Sequence, residues 1–210
     1  MLTISALNLE TREPILKNFS YKFEKGKFYQ IVAENGMGKT SFLRAITDLT
    51  SYQGQIRYDG KEFINSKDKI FYFESNNWLI PSLTAKDYLE MVKKQWNSTL
   101  SIEKEDKFLG VDKYWTVPIK KYSLGMKQKL IVTMYFLSNA EYFLMDEVIN
   151  GLDKQSRLKV YSRLKKELQD RCILYTSHYS DKIEISPLIQ LELENFTMRE
   201  LQHELHQISK

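Results

Sequence analysis

The stretch that most constrains this chain is Ala33-Glu34-Asn35-Gly36-Met37-Gly38-Lys39-Thr40. Ahead of it, Phe28-Tyr29-Gln30-Ile31-Val32 is an apolar, aromatic and β-branched run that reads as a buried strand. Behind it, Ser41-Phe42-Leu43-Arg44-Ala45-Ile46 carries Phe42, Leu43 and Ile46 at helical spacing. A strand, a glycine loop and a helix in that order are the context of a phosphate-binding loop. The glycines let backbone N–H groups turn inward around an anion, and the helix start adds its positive dipole end. In that pattern Lys39 reaches the β- and γ-phosphates and the Thr40 hydroxyl meets Mg²⁺. Asn35, Gly36, Met37, Gly38, Lys39, Thr40 and Ser41 are therefore the candidate nucleotide-binding residues. Ala33 takes the place of the pattern's first glycine.

A phosphate loop needs a partner motif, and Tyr142-Phe143-Leu144-Met145-Asp146-Glu147 supplies one. Four apolar residues predict a buried strand that ends in two carboxylates, at the strand end where ligands sit in such sheets. Asp146 is positioned to hold Mg²⁺, directly or through water. Glu147, one residue on, is positioned to orient or deprotonate an attacking water.

Between these motifs lies Lys120-Lys121-Tyr122-Ser123-Leu124-Gly125-Met126-Lys127-Gln128, followed by a predicted helix over Gln128–Leu137. It resembles the signature loop of the ATP-binding-cassette (ABC) ATPases, with Tyr122-Ser123-Leu124-Gly125-Met126 standing where the family shows Leu-Ser-Gly-Gly-Gln. Asn150-Gly151-Leu152-Asp153 resembles the family's D-loop. Leu174-Tyr175-Thr176-Ser177-His178 resembles the switch strand, whose histidine contacts the γ-phosphate. The resemblance runs from about Leu2 to Leu193 with the motifs in the family's order. It implies an α/β fold: a P-loop NTPase core with a mixed sheet, an antiparallel β edge and an inserted helical subdomain. It implies a Mg²⁺-dependent ATPase that is one subunit of a head-to-tail dimer. Two ATPs would be sandwiched there, each between one phosphate loop and the partner's Ser123 and Gly125. It further implies a separately encoded transmembrane permease that hydrolysis powers, and a cytoplasmic location on the inner face of the membrane.

The chain departs from the family in three places. By register with Leu83-Thr84, Ser75 stands where the family's Q-loop glutamine couples nucleotide to permease, with Glu74 before it. Val148 follows Glu147 where proline is common. No aromatic stands near Glu10–Thr11, where the family stacks a ring on adenine, so the base is expected to be read poorly unless Phe19, Tyr21 or another ring replaces it. Ala33, Ser75 and the missing aromatic motivate an alternative, a degenerate ATP-binding or regulatory module with little hydrolysis. Lys39, Asp146, Glu147 and His178 argue for turnover. An ABC ATPase of DNA maintenance needs a long heptad insertion before the signature, and the about eighty residues there carry no heptads.

Composition bounds the rest. A chain of 210 residues, 42% hydrophobic, suits one domain with a sizeable core. Its net charge of +4 is dispersed, and no nucleic-acid partner is expected. The single cysteine, Cys172, lies in an apolar strand-like run and reads as a core residue of a protein in a reducing compartment. No apolar run approaches the ~18 residues of a membrane span, and no signal peptide is apparent. Leu2–Leu9, with Leu2, Ile4 and Ala6 alternating against polar neighbours, predicts a half-exposed strand. Further strands are predicted at 15–23, 55–58, 70–73 and 189–193. The α/β core is expected over 1–75 and 138–195, the helical subdomain over 76–137, and a C-terminal helix over 197–209 capped by Thr197 and Glu200.

Overall fold

The computed structural model describes residues 1–178, 185 and 187–201. In chain order the elements are β1 (Leu2–Glu10), β2 (Pro14–Phe23), β3 (Lys27–Val32), α1 (Lys39–Ile46), β4 (Gln53–Tyr58) and β5 (Ile70–Tyr72). There follow α2 (Ala85–Gln95), α3 (Ile102–Leu109), α4 (Leu124–Ser138), β6 (Tyr142–Asp146), α5 (Lys154–Glu167), β7 (Cys172–Ser177), β8 (Leu188–Glu194) and β9 (Thr197–Glu200). An antiparallel sheet has the order β2-β1-β4, and a six-stranded sheet has the order β5-β6-β7-β3-β8-β9, parallel except for β9.

Strands β5 and β6 read as nearly unbroken apolar runs because both faces of their sheet are covered, and alternate residues feed two cores. In β6, Tyr142 and Leu144 pack with the antiparallel sheet and with Phe42, Leu43 and Ile46 of α1. Phe143 and Met145 point the other way, into a core with α4 and α5. In β7, Cys172 and Leu174 take the first side and Ile173 and Tyr175 the second. Each fully buried Leu or Phe stabilises the fold by roughly 1.5–3 kcal/mol. Cys172 is the core residue its setting predicts: it is fully buried, and burial pushes its thiol pKa well up.

The inserted helices are organised by α4, whose run Leu130–Ser138 is buried on every side. Such a helix has no polar face and lies at the centre of a cluster. Its neighbour α2 starts with a capping box: Asp87 N–H donates to Thr84 Oγ1 and Thr84 N–H donates to Asp87 Oδ2.

Two local expectations are corrected. Ala6 is exposed and takes φ 50°, and the β1 register shifts there, so the buried set is Leu2, Ile4, Leu7 and Leu9. A bulge re-aims the strand by one residue. Gly54 of β4 accommodates it, since a Cβ there would lie 2.5 Å from the Ala6 carbonyl oxygen. At the other end, Thr197–Glu200 is not the first turn of a helix but strand β9, with Leu193 opposite Met198. Asn195 and Phe196 both take left-handed angles and turn the chain back on β8, whose open edge supplies the ladder that a cap cannot. The rest of the expected helix, residues 202–209, lies outside the described residues.

Candidate functional site

The phosphate loop leaves the carboxyl end of β3. Gly36 and Gly38 have φ of 82° and 98°, a region that side chains disfavour. At Gly38 a Cβ would also lie 2.5 Å from Ile15 Cγ2, so space and backbone both demand glycine. Ala33 is fully buried and keeps a negative φ, so the pattern's first glycine is replaced without strain. Glu34, Asn35, Gly36 and Met37 form the exposed outer turn, and Met37 N–H donates to the Glu34 carbonyl at 3.4 Å. Lys39 turns inward with only 6% exposure, and its Nζ donates to the carbonyls of Ala33 (2.9 Å) and Glu34 (3.3 Å). No side chain caps the start of α1, and helix starts of this kind can bind anions through their first N–H groups. Thr40 and Ser41 follow in the first turn.

The acids meet this loop from β6. Thr40 Oγ1 donates to Asp146 Oδ2 at 2.6 Å, and Thr176 Oγ1 donates to Asp146 Oδ1 at 2.5 Å. Glu147 lies between two nitrogens: Lys39 Nζ at 3.6 Å from Oε1 and His178 Nε2 at 3.4 Å from Oε2. Its φ of 53° is costly for a side-chain-bearing residue, of the order of 1–3 kcal/mol. Buried Val148 and Ile149 and a turn from Asn150 N–H to the Glu147 carbonyl hold it there. Lys39, Thr40, Asp146, Glu147 and His178 thus converge from three strand ends. The second partner of Asp146, Thr176, was not singled out in the sequence; its one signal is the polar residue that breaks the apolar run of β7.

The oxygens fit Mg²⁺. A hydroxyl and a carboxylate converge, and among the described residues no cluster of three or more His, Cys, Asp or Glu could hold an ion alone. Few protein oxygens, with phosphate and water to complete the shell, suit Mg²⁺ better than a closed protein cage.

Beside them, Glu74 Oε2 lies 3.4 Å from Arg44 Nε and accepts the Tyr72 hydroxyl at 3.1 Å. Burial first, then the charges of Asp146 and Glu74, pushes the Tyr72 hydroxyl pKa up, so it stays a donor. Ser75 instead accepts Asn77 N–H at 3.2 Å and closes a short turn.

Ser123 and Gly125 lie elsewhere. Ser123 is exposed and accepts Met126 N–H at 3.2 Å as the N-cap of α4. With Lys113, Met126, Gly151 and Asp153 they line a cavity of about 400 Å³ that contains no phosphate-loop residue. Asp153 caps α5 by accepting Ser156 N–H at 2.8 Å and pairs with Lys129 at 2.9 Å. The Ser156 amide, its hydroxyl and Lys129 hold the Asp153 carboxyl far below the usual range. Gly151 sits against the Gln128 amide, whose Oε1 would lie 1.7 Å from a Cβ there, so any larger residue would require the Gln128 side chain to move.

Comparison with known proteins agrees with this arrangement. Residues 16–150 match the family model described as ABC transporter. The chain is 30% identical over 190 residues to the uncharacterized ABC transporter ATP-binding protein YybJ of Bacillus subtilis (strain 168), covering 86% of this chain and 87% of that one. It is 29% identical over 210 residues to YclH of the same organism, also an uncharacterized ABC transporter ATP-binding protein, covering 90% of each. Among solved structures, an ATP-binding cassette in a dimeric post-hydrolysis state bound to ADP and Pi superposes with TM-score 0.81. The two are 19% identical, over 97% of this chain and 100% of that one, a likeness of fold.

Proposed function

This chain belongs to the ATP-binding subunits of the ABC transporter family, and from that premise we propose that it hydrolyses ATP with Mg²⁺ to power a separately encoded membrane permease. The observation that carries the reading is the convergence of Lys39, the Thr40–Asp146 pair and the Glu147–His178 pair on one loop. Backbone amides of the loop from Asn35 to Ser41 and the uncapped start of α1 bind the phosphates. The Lys39 ammonium exchanges its two carbonyl partners for phosphate oxygens, a stronger charge-assisted bond. That exchange also releases Glu147 Oε1 from Lys39, and the freed carboxylate accepts the proton of the attacking water. His178, on the other side of Glu147, orients that carboxylate and meets the γ-phosphate. Thr40 Oγ1 and Asp146 Oδ2 are the oxygens that would hold Mg²⁺, which would supply neutralisation of the phosphate charge.

The separation of Ser123 and Gly125 from the loop supports a head-to-tail dimer. Both residues are at an exposed helix start, where they can offer a hydroxyl and backbone N–H groups to a second copy's nucleotide. Among the described residues no helix is long and apolar enough to cross a membrane. A cavity of about 630 Å³ lined by Leu49, Ile64, Tyr72, Trp78 and Trp96 is apolar enough to seat a segment of the permease at the inner face of the membrane.

The test is Mg²⁺-dependent phosphate release by the purified chain, together with co-purification of a polytopic membrane protein from its own cells. Failure of the chain to bind ATP overturns the reading. ATP binding and hydrolysis without a membrane partner overturns only the transport half.

A further inference from the structure

One ring stands at the nucleotide site that the sequence motifs do not account for. The hairpin joining β8 and β9 has Glu194 opposite Thr197, so Asn195 and Phe196 form its two-residue turn. Both take left-handed angles, φ 50° and 61°. Such a turn favours Asn followed by Gly, because a bulky side chain is strained at positive φ. Here a phenylalanine occupies the glycine position, and the residue is 47% exposed. Nothing in the hairpin calls for it. Strain of this kind persists where a site uses it.

The ring is also held in place. Lys17 N–H donates to the Phe196 carbonyl at 2.9 Å, and the Lys17 ammonium sits 4.5 Å from the ring centroid. This ties the turn to β2, directly beyond the segment where no aromatic is present. A cavity of about 640 Å³ opens between them, lined by Thr11, Arg12, Gly36, Met37, Ser41 and Phe196. The phosphate loop is therefore one wall of this cavity, and Phe196 is the only aromatic among its described lining residues. The other candidate rings are committed elsewhere. Phe19 is buried against Phe42, and the Tyr21 hydroxyl donates to Glu200.

We propose that Phe196 is the platform on which the base of the bound nucleotide stacks, an assignment that rests on the nucleotide-site reading above. A ring on the β8–β9 turn replaces one ahead of β2. Stacking reads the face of a base and not its edge, so ATP and GTP should gain alike.

The experiment compares ATP, GTP and inorganic tripolyphosphate by calorimetry on the wild type, Phe196→Gly and Phe196→Trp. Glycine suits the turn better than phenylalanine, so Phe196→Gly should melt no lower than the wild type. Its affinity for both nucleotides should fall about tenfold or more, toward that of tripolyphosphate, while tripolyphosphate binding stays unchanged. Phe196→Trp should retain nucleotide affinity, and ATP, but not tripolyphosphate, should quench fluorescence in excess of the wild-type change. Unchanged ATP affinity in Phe196→Gly overturns the platform and leaves the phosphate site standing. A wild type that binds neither ATP nor tripolyphosphate overturns the nucleotide site, and the platform with it.

Discussion

The phosphate loop and the signature surface differ in how much of each is complete within one chain. Around the loop, groups from the ends of β3, β6 and β7 already touch: Thr40 and Thr176 bond Asp146, and Glu147 bridges Lys39 and His178. Lys39 is nearly buried, and its charge is answered before any ligand arrives. The signature surface is local and open. Ser123 caps its own helix three residues on and is exposed, and its link to the rest of the chain runs through Lys129 and Asp153. The first region draws its groups together within one chain. The second places the exposed Ser123 hydroxyl at a helix start, and among the described residues no acceptor for it is found. A division of this kind separates binding from turnover, and substitutions on the two sides should therefore give different signatures.

The largest effect is expected at Glu147. Glu147→Gln removes the base and keeps Lys39, Thr40 and Asp146, so turnover should fall about 10²–10⁴-fold while ATP still binds. With hydrolysis blocked, gel filtration in ATP and Mg²⁺ should show a trapped dimer. Turnover at the parental rate would remove Glu147 from this role.

Next comes Lys39→Ala. The lost charge-assisted bonds are worth about 1.5–3 kcal/mol, so calorimetry should show ATP affinity weakened by roughly tenfold or more. Unchanged affinity would mean that the loop does not hold the phosphates.

Ser123→Asp sharpens the comparison itself. Asp caps a helix as well as Ser does, so the melting temperature should hold. A negative charge facing a partner's triphosphate should nonetheless lower hydrolysis about tenfold or more, since like charges juxtaposed at an interface cost several kcal/mol. ATP affinity of the dilute subunit should not move. If it drops, the two regions are not separate and the head-to-tail arrangement is broken.

The smallest effect is Ser123→Ala. Loss of the cap should cost about 1 kcal/mol and lower the melting temperature by roughly 2–4 °C. No change in melting would mean that the Met126 N–H does not depend on this serine.

Much of the site was legible because its signals are local. The glycines at 36 and 38, the lysine after them and the acids after Tyr142–Met145 each declare their role through neighbours in the chain. The bulge at Ala6 was not legible, because the shift in register is set by pairing with β2 and β4. The hairpin is hidden from the sequence for a related reason: Thr197 and Glu200 have the spacing of a cap, and only the free edge of β8 turns them into a strand. Thr176 escaped notice because its partner, Asp146, is 30 residues away in sequence and adjacent only once β6 and β7 pair.

What the sequence determined by itself is the list of chemical groups and the strand or helix that carries each, since hydrophobic period and glycine placement act over a few residues. What only the tertiary structure decided is which groups meet. It placed Glu147 between Lys39 and His178, kept Ser123 and Gly125 apart from them, and brought the ring of Phe196 to the wall of the phosphate loop. Those contacts depend on strand order and register, and sheet pairing over long separations is written in no single stretch of the chain.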